Sequence, residues 1–155
     1  MCSGHYKSQG GFVSALTVSD DKSLLDIAKI HHFLTTESTW ALGINYETVA
    51  RSIENSICFG AYKGKDQIGF SRIITDQATF ANLVDVIVWP EYRGLGISRK
   101  LMEAVMVHSS VKGVRRFTLA TSNAHGLYQK YGFTALRKPD TFMEVYAPDI
   151  YTKVP

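Results

Sequence analysis

Residues 84–101 read V-D-V-I-V-W-P-E-Y-R-G-L-G-I-S-R-K-L, and this stretch decides the fold. An apolar run that stops at a proline is typical of a buried strand, and a short turn with two glycines, residues 93–96, follows it. Ile97, Leu101 and Val105 then recur at four-residue spacing, which predicts the buried face of a helix. The sequence therefore predicts a strand, a glycine turn and a helix in direct succession.

The turn and the start of this helix form a predicted anion site. Glycines let the backbone come close to a ligand, and the first N–H groups of a helix have no partner inside it. Arg93, Arg99 and Lys100 crowd the positive end of the helix dipole, where each costs roughly 0.3–1 kcal/mol unless an anion is bound. Neither G-x-x-x-x-G-K-[ST] nor G-x-G-x-x-G is present, so neither common nucleotide loop is predicted.

Length and composition indicate one soluble domain over residues 1–155, with residues 1–10 as a flexible tail. The chain is 45% hydrophobic and 20% charged, which is ordinary for a globular protein. A net charge of +3 is too small to argue for nucleic acid, and no apolar run is long enough to predict a membrane span. Cys2 and Cys58 form no disulfide framework, so we expect a cytoplasmic protein.

Strands and helices are predicted to alternate along the chain. Helices are expected after Asp21 or Ser23, after Asn45, over about residues 96–111 and over residues 124–131. Strands are expected at residues 12–18, 57–62, 68–75, 80–89 and 117–120, and residues 133–136 and 142–146 are candidates to close the sheet.

The glycine turn resembles the coenzyme A loop of the GNAT N-acetyltransferases, [RQ]-x-x-G-x-[GA] after a strand that ends in V-x-P. Residues 93–98, R-G-L-G-I-S, fit it except that Ser98 stands where the family has glycine or alanine. Residues 121–133 resemble a second family motif, N-x-x-A-x-x-L-Y-x-x-x-G-F, with Thr121 in place of the asparagine. The family asparagine often contacts the coenzyme, so Asn123 is a candidate for that contact, although we prefer it as a helix cap.

The resemblance is strongest over residues 80–135 and implies the fold and the reaction. The expected fold is a single α/β domain whose mixed, mostly antiparallel sheet has parallel splayed central strands and flanking helices. The expected reaction transfers an acetyl group from acetyl-CoA to a primary amine of a small molecule or peptide by direct attack, without a metal. A non-catalytic acyl-CoA sensor and a transferase of longer acyl chains stay as alternatives, and a homodimer stays open beside a monomer.

The resemblance also implies the residues of the site. The backbone of Val86, Ile87 and Val88 would pair with the pantetheine arm, in the manner of strand addition. Tyr128 is the candidate general acid, because a phenol with a pKa near 10 is protonated at neutral pH; packing is its alternative role. The coenzyme's phosphates would lie against the turn and the helix start, formed by Arg93, Gly94, Leu95, Gly96, Ile97, Ser98 and Arg99.

The general base is less defined. Asn82 stands where many family members have glutamate, and Asp85 is the nearest acid on the strand. Strand alternation places Leu83 and Ile87 on the same face as Asp85, so this carboxylate would lie in an apolar row. A hairpin between residues 66–76 and 80–89, with a tight turn near Ala78 and Thr79, would bring Arg72 opposite Asp85. We prefer a structural ion pair over a catalytic role for Asp85.

The acceptor is expected over the first two helices, opposite the coenzyme. Glu37 would attract a cationic amine and Trp40 would give it an aromatic wall. An ordinary helix-end loop with an anchoring tryptophan is the alternative. The histidines show no metal-ligand spacing with cysteine or acidic residues, so no metal is predicted.

Overall fold

Five strands form one sheet in their order along the chain, in a computed structural model that describes residues 15–153. Neighbouring strands are antiparallel except the last pair, which is parallel. The predicted strands are confirmed in these positions, and the part of the first prediction before residue 15 lies outside the described residues. The strands are β1 Leu16–Ser19, β2 Ile57–Lys63, β3 Asp66–Thr75, β4 Phe80–Val88 and β5 Arg116–Leu119.

Four α-helices flank the sheet: α1 Ile27–Thr36, α2 Tyr46–Glu54, α3 Ile97–Val107 and α4 His125–Gln129. The Asn45 side chain caps α2 as predicted, by accepting a hydrogen bond of 2.8 Å from the Thr48 N–H. Helix α1 begins later than predicted, because Asp21 caps only a short 3-10 turn and Asp26 caps the helix itself. No helix within residues 15–153 is long and apolar enough to span a membrane.

The two faces of the sheet bury two separate cores. Helices α3 and α4 cover one face, where Ile73, Leu83 and Leu101 lie in one apolar cluster. Helices α1 and α2 cover the other, where Phe70 and Ile87 lie in a second cluster. Because Leu83 and Ile87 belong to the same strand and are four residues apart, they reach opposite faces only if that strand carries an irregularity between them.

A β-bulge at Asp85 is this irregularity. Phe70 pairs with Ile87 and Arg72 pairs with Val84, so β4 has one residue more than β3 between the two pairs. Asp85 has a φ of 52°, in the left-handed region that aspartate enters more readily than most residues. The expectation that Leu83 and Ile87 share one face was therefore wrong, since the bulge inserts an extra residue into the alternation.

The parallel strands β4 and β5 separate after their first four pairs. Their pairing ends at Leu83 and Leu119, so the rest of β4 faces a gap on that side. The Trp89 N–H donates to Ile68 O towards β3, at 3.1 Å. Because backbone groups alternate in direction along a strand, those of Val86 and Val88 point into the gap. The predicted splay is present.

The sheet ends at β5 in the described part of the chain. Residues 133–136 and 142–146 form no strand, so the prediction that they close the sheet is wrong for this single chain, and the parallel pair lies at the edge rather than the centre. Their β-branched and aromatic residues favour a strand, but this preference reflects fit to a paired surface, and these residues have no pairing neighbour.

Candidate functional site

A cavity of about 530 Å³ connects the loop after α1, which carries Glu37 and Trp40, to the start of α3. It runs past the gap beside β4, and its walls include Glu37 and Trp40 as well as Val86, Ile87 and Val88. The other walls are Phe33, Thr39, Tyr92, Arg93, Gly94, Gly96, Ile97, Ser98, Arg99 and Leu127. Leu95 is 55% exposed and lies outside this wall. Phe33, Thr39, Tyr92 and Leu127 were not among the site residues predicted from the sequence, although Leu127 belongs to the second motif.

The backbone at the start of α3 is free to hold an anion. Gly94 and Gly96 have φ values of 80° and 76°, which glycine adopts without the strain that other residues incur. The first hydrogen bond of the helix runs from Lys100 N–H to Gly96 O at 3.2 Å. Within residues 15–153, the N–H groups between Gly94 and Arg99 have no acceptor, so they remain available to a ligand.

Positive charge surrounds these free N–H groups. The first turn of α3 contains no acidic residue, while Arg99 and Lys100 lie in it. Arg99 lies 3.9 Å from Glu103, but both side chains are largely exposed, and such pairs contribute little. Arg93 Nε donates to Val88 O at 3.3 Å, which holds this side chain beside the gap. An anionic ligand would therefore be stabilised here by backbone dipoles and by arginine.

Asp85 forms the predicted ion pair with Arg72. Both Nε and one terminal nitrogen of Arg72 lie 3.0 Å from Oδ2 of Asp85. The other carboxylate oxygen accepts a hydrogen bond of 2.9 Å from Nε1 of Trp40. Arg72 also donates to Ser56 Oγ at 3.0 Å. Since both oxygens of Asp85 accept hydrogen bonds from fixed donors, its geometry suits positioning better than proton abstraction.

Trp40 is thereby fixed at the end of the cavity opposite the glycine turn. Its ring is 54% exposed, and its N–H is held by a carboxylate that lies on a different element. The contact joins residues 45 positions apart, and no sequence signal identifies it. Glu37 lies nearby on the wall, and it is the one carboxylate among the lining residues that the structure describes.

Tyr128 lies beside the cavity rather than on its wall. Its ring is 8% exposed and packs edge-on against Phe133, with 6.1 Å between ring centroids. Burial raises the pKa of the Tyr128 phenol, so the hydroxyl stays protonated further into the alkaline range. No hydrogen-bond partner of this hydroxyl lies within residues 15–153, whereas the hydroxyl of Tyr131 donates to Arg99 O at 3.4 Å.

Asn123 does not cap α4. The cap position is Ala124, which makes no side-chain bond, and its N–H instead donates to Thr121 Oγ1 at 3.0 Å. Threonine in the family's asparagine position thus supports the helix start, and Asn123 is exposed. Asn82, in the position of the family glutamate, accepts a hydrogen bond of 2.9 Å from Thr118 on β5.

One other cluster of polar side chains has a structural role. His108 contacts Ser110 and Asp20, at 2.7 and 3.1 Å, but Ser110 is 1% exposed and its N–H is capped by the same histidine. Such a buried hydroxyl does not meet a substrate. Among residues 15–153, no three histidine, cysteine or acidic side chains are grouped so that they could hold a metal ion.

Comparisons with known proteins agree with this geometry. The family model "Acetyltransferase (GNAT) domain" matches residues 54–135. A candidate acetyltransferase of Gibberella zeae is 28% identical, and the match covers 73% of this chain and 75% of the relative.

Solved structures extend the likeness to nearly the whole chain. A protein of Xanthomonas campestris pv. campestris, described as belonging to the GNAT family, is 50% identical with a TM-score of 0.88; the match covers 90% of this chain and 98% of that one. A protein of Clostridium acetobutylicum solved with acetyl-CoA is 16% identical with a TM-score of 0.62, over 85% of this chain and 95% of that one, and so shares the fold.

Proposed function

Because this chain belongs to the GNAT acetyltransferase family and is an acyltransferase, we propose that it transfers an acetyl group from acetyl-CoA to a primary amine of a small molecule or peptide. The observation that carries the proposal is the continuous cavity of about 530 Å³, which joins the glycine turn before α3 to the loop that carries Glu37 and Trp40, through the gap in the sheet. A single passage of this kind lets two substrates meet without a covalent enzyme intermediate.

The residues of this chain fit acetyl-CoA as the acyl donor, which supplies an acetyl thioester. The free N–H groups between Gly94 and Arg99 would hold its phosphates, together with Arg93 and Arg99. The backbone of Val86 and Val88 would hold the extended pantetheine arm in the gap. Ile87 would contribute less through its backbone, because alternation turns its backbone groups towards β3.

The acceptor amine would enter at the loop that carries Glu37 and Trp40. Glu37 would attract the ammonium form, and the fixed ring of Trp40 would form one wall. We assign Asp85 to holding Trp40, because both of its oxygens already accept hydrogen bonds. The proton of the amine would then leave through water, or the amine would bind in its neutral form. By either route, kcat/KM should rise with pH until the pH exceeds the pKa of the free acceptor amine.

Tyr128 would donate a proton to the departing thiolate. Its raised pKa keeps the phenol protonated, and its hydroxyl makes no hydrogen bond that would compete within the described part of the chain. Asn123 is the weakest of the proposed coenzyme contacts, since it is exposed and lies outside the cavity wall.

Incubation with acetyl-CoA and pooled amines, including peptides and polyamines, tests the function. We expect release of free thiol together with a mass increase of about 42 Da, that of one added acetyl group, on one class of amine. Reactions without amine measure hydrolysis and serve as the control. Tight binding with no product from any amine would instead favour an acyl-CoA sensor. Product formed only from longer acyl-CoA thioesters would identify a longer acyl-CoA, rather than acetyl-CoA, as the donor.

A further inference from the structure

Residues 147–153, here named the C-terminal turn, pack on the loop between α1 and α2. The Thr152 N–H donates to Asp149 O at 3.1 Å, so this segment is folded back on itself. At Gly43, in the loop, a Cβ would lie 2.8 Å from the carbonyl oxygen of Tyr151. The backbones of the two segments are therefore in direct contact, although more than one hundred positions of sequence separate them.

Glycine is required at residue 43 for two separate reasons. Its φ is 81°, a conformation that glycine adopts without the strain that other residues incur. The missing side chain also leaves the space that the Tyr151 carbonyl occupies, and the Thr152 methyl group would be the next contact of a Cβ, at 3.4 Å. The first reason concerns the loop alone, and the second depends on the C-terminal turn.

The loop that the C-terminal turn contacts is closed by its own hydrogen bonds. The Gly43 N–H donates to Thr35 O at 3.0 Å, and the buried Ser38 Oγ accepts from the Ala41 N–H at 3.0 Å. Trp40 lies inside this loop, three positions before Gly43. Because such a packed loop transmits strain rather than absorbing it, a displacement at Gly43 should reach the Trp40 ring.

The C-terminal turn itself does not line the cavity. The walls include Glu37, Thr39 and Trp40 from the loop, but none of residues 147–153. Any effect of this turn on a bound acceptor must therefore pass through the loop. Asp85 holds the loop at Trp40, and the C-terminal turn packs on it at Gly43.

We propose that the C-terminal turn is a positioning element of the acceptor site: through its contact with Gly43 it holds the loop between α1 and α2, and with it the Trp40 ring, in place. Its effect on kinetics rests on the proposed acetyl transfer, whereas its effect on the position of Trp40 does not. Because the coenzyme would bind at the opposite end of the cavity, loss of the contact should affect the amine and not acetyl-CoA.

Gly43→Ala tests the contact, with Gly113→Ala as the matched control. Gly113 has a φ of 79°, so both substitutions incur similar backbone strain, but a Cβ at residue 113 meets no atom within 4 Å. Trp40 is 54% exposed and Trp89 is 5% exposed, so acrylamide quenching of fluorescence reports mainly on Trp40. We expect Gly43→Ala to change the quenching constant about twofold and Gly113→Ala to leave it unchanged.

Ile150→Pro tests the same contact from the other side, without a change in the loop. It removes the N–H that donates to Ala147 O at 3.2 Å and restricts the backbone of the residue before it. Residue 150 is 60% exposed, so the core should still fold, as circular dichroism would show. Ile150→Pro should alter the quenching as Gly43→Ala does, and Ile150→Ala, which keeps the N–H, should not. Wild-type quenching in both Gly43→Ala and Ile150→Pro would overturn the proposal.

Steady-state kinetics test the consequence for the acceptor. We expect Gly43→Ala and Ile150→Pro to raise KM for the amine about 10-fold with kcat nearly unchanged, since positioning contributes to binding of the amine. The dissociation constant for acetyl-CoA should stay at the wild-type value, and Gly113→Ala should keep both constants. Equal losses for amine and acetyl-CoA would overturn the assignment to the acceptor site. A wild type that acetylates no amine would refute the proposed function, and the quenching result would still decide whether the C-terminal turn holds Trp40.

Discussion

Asp85 has two properties that each reduce the stability of the fold on their own. It holds a left-handed backbone conformation with a φ of 52°, and its carboxylate is 9% exposed. The hydrogen bonds from Arg72 and Trp40 compensate the buried charge, and Arg72 is in turn held by Ser56. One residue therefore marks the bulge of β4 and holds the Trp40 side chain in the cavity.

A double-mutant cycle measures this pairing. Arg72→Met or Asp85→Asn alone should reduce the free energy of unfolding by roughly 3–5 kcal/mol, because each leaves a buried charged partner unpaired. The double variant should recover part of this loss. Denaturant midpoints give the coupling energy. Strictly additive losses would mean that the contact contributes nothing, and a stable but inactive Asp85→Asn would identify Asp85 as the base.

Tyr128→Phe separates proton donation from packing. We expect kcat to fall on the order of 100-fold, while the dissociation constant for acetyl-CoA stays nearly unchanged. Stability should stay the same or rise slightly, because the hydroxyl that is removed makes no hydrogen bond within the described residues. Tyr131→Phe, whose hydroxyl contacts Arg99 O, is the matched control and should keep its kcat. An unchanged kcat in Tyr128→Phe would assign this residue to the core alone.

Cys58 should be an unreactive thiol in the folded chain. Burial raises its pKa from 9.0 to about 11, so at pH 8 the thiolate fraction is about 100-fold lower than in an unfolded chain. Alkylation of a Cys2→Ser variant by iodoacetamide, followed by mass spectrometry, measures this difference. The neutral thiol favours the fold below pH 9, and this contribution is lost as the pH rises towards 11. Equal alkylation rates with and without denaturant would contradict the shift.

Residue-scale predictions from the sequence succeeded where a contact follows from strand register. Arg72 and Asp85 are joined by a hairpin, so their ion pair follows from spacing, whereas the contact between Trp40 and Asp85 depends on how a loop packs on the sheet. The cap of α4 was misassigned to Asn123, because Thr121 reaches the Ala124 N–H across the turn. Both asparagine and threonine suit such a position, and the local sequence does not choose between them.

At the scale of elements, we predict that acetyl-CoA binds at the start of α3. Acetyl-CoA at 100 times its dissociation constant should stabilise the wild type by about 2.7 kcal/mol, or roughly 5–10 °C in Tm. Gly96→Glu should abolish this shift, because it adds a side chain and a negative charge at the anion site. Gly113→Glu is the matched control, since Gly113 also has a positive φ, of 79°, and open space around it.

Thermal denaturation with and without acetyl-CoA gives the result for each variant. Both substitutions incur backbone strain, so both should lower the Tm of the free protein, but only Gly96→Glu should lose the response to ligand. If acetyl-CoA still raised the Tm of Gly96→Glu, the coenzyme would have to bind at another part of the chain.

The boundaries of elements show where sequence patterns stop being informative. The apolar spacing of Ile97, Leu101 and Val105 predicted α3 correctly, because a single buried face determines it. The bulge in β4 was invisible, since the pattern V-D-V-I-V fits a continuous strand equally well. Residues 142–146 carry a strand pattern, but no strand of the described chain pairs with them, so the pattern alone did not predict their conformation.

At the scale of the whole molecule, the fold was predictable because the resemblance covered the sheet order as well as the glycine turn. The splay of β4 and β5 follows from that order, and the described sheet has it. The sequence pattern did not predict the division of the interior into two cores, since this division depends on which face each side chain of β4 takes. That assignment changes at the bulge, which one dihedral angle at Asp85 marks.

The bulge also makes the length of β4 more critical than its composition. Removing residue 85 altogether would restore a regular strand and carry Ile87 and Trp89 from the core under α1 and α2 to the opposite face. We expect such a deletion to prevent folding. Asp85→Gly leaves every other side chain of β4 on the same face of the sheet, and it should still give soluble protein whose circular dichroism shows that it is folded. Homologous chains of this type should therefore tolerate exchange at this position far better than loss of it.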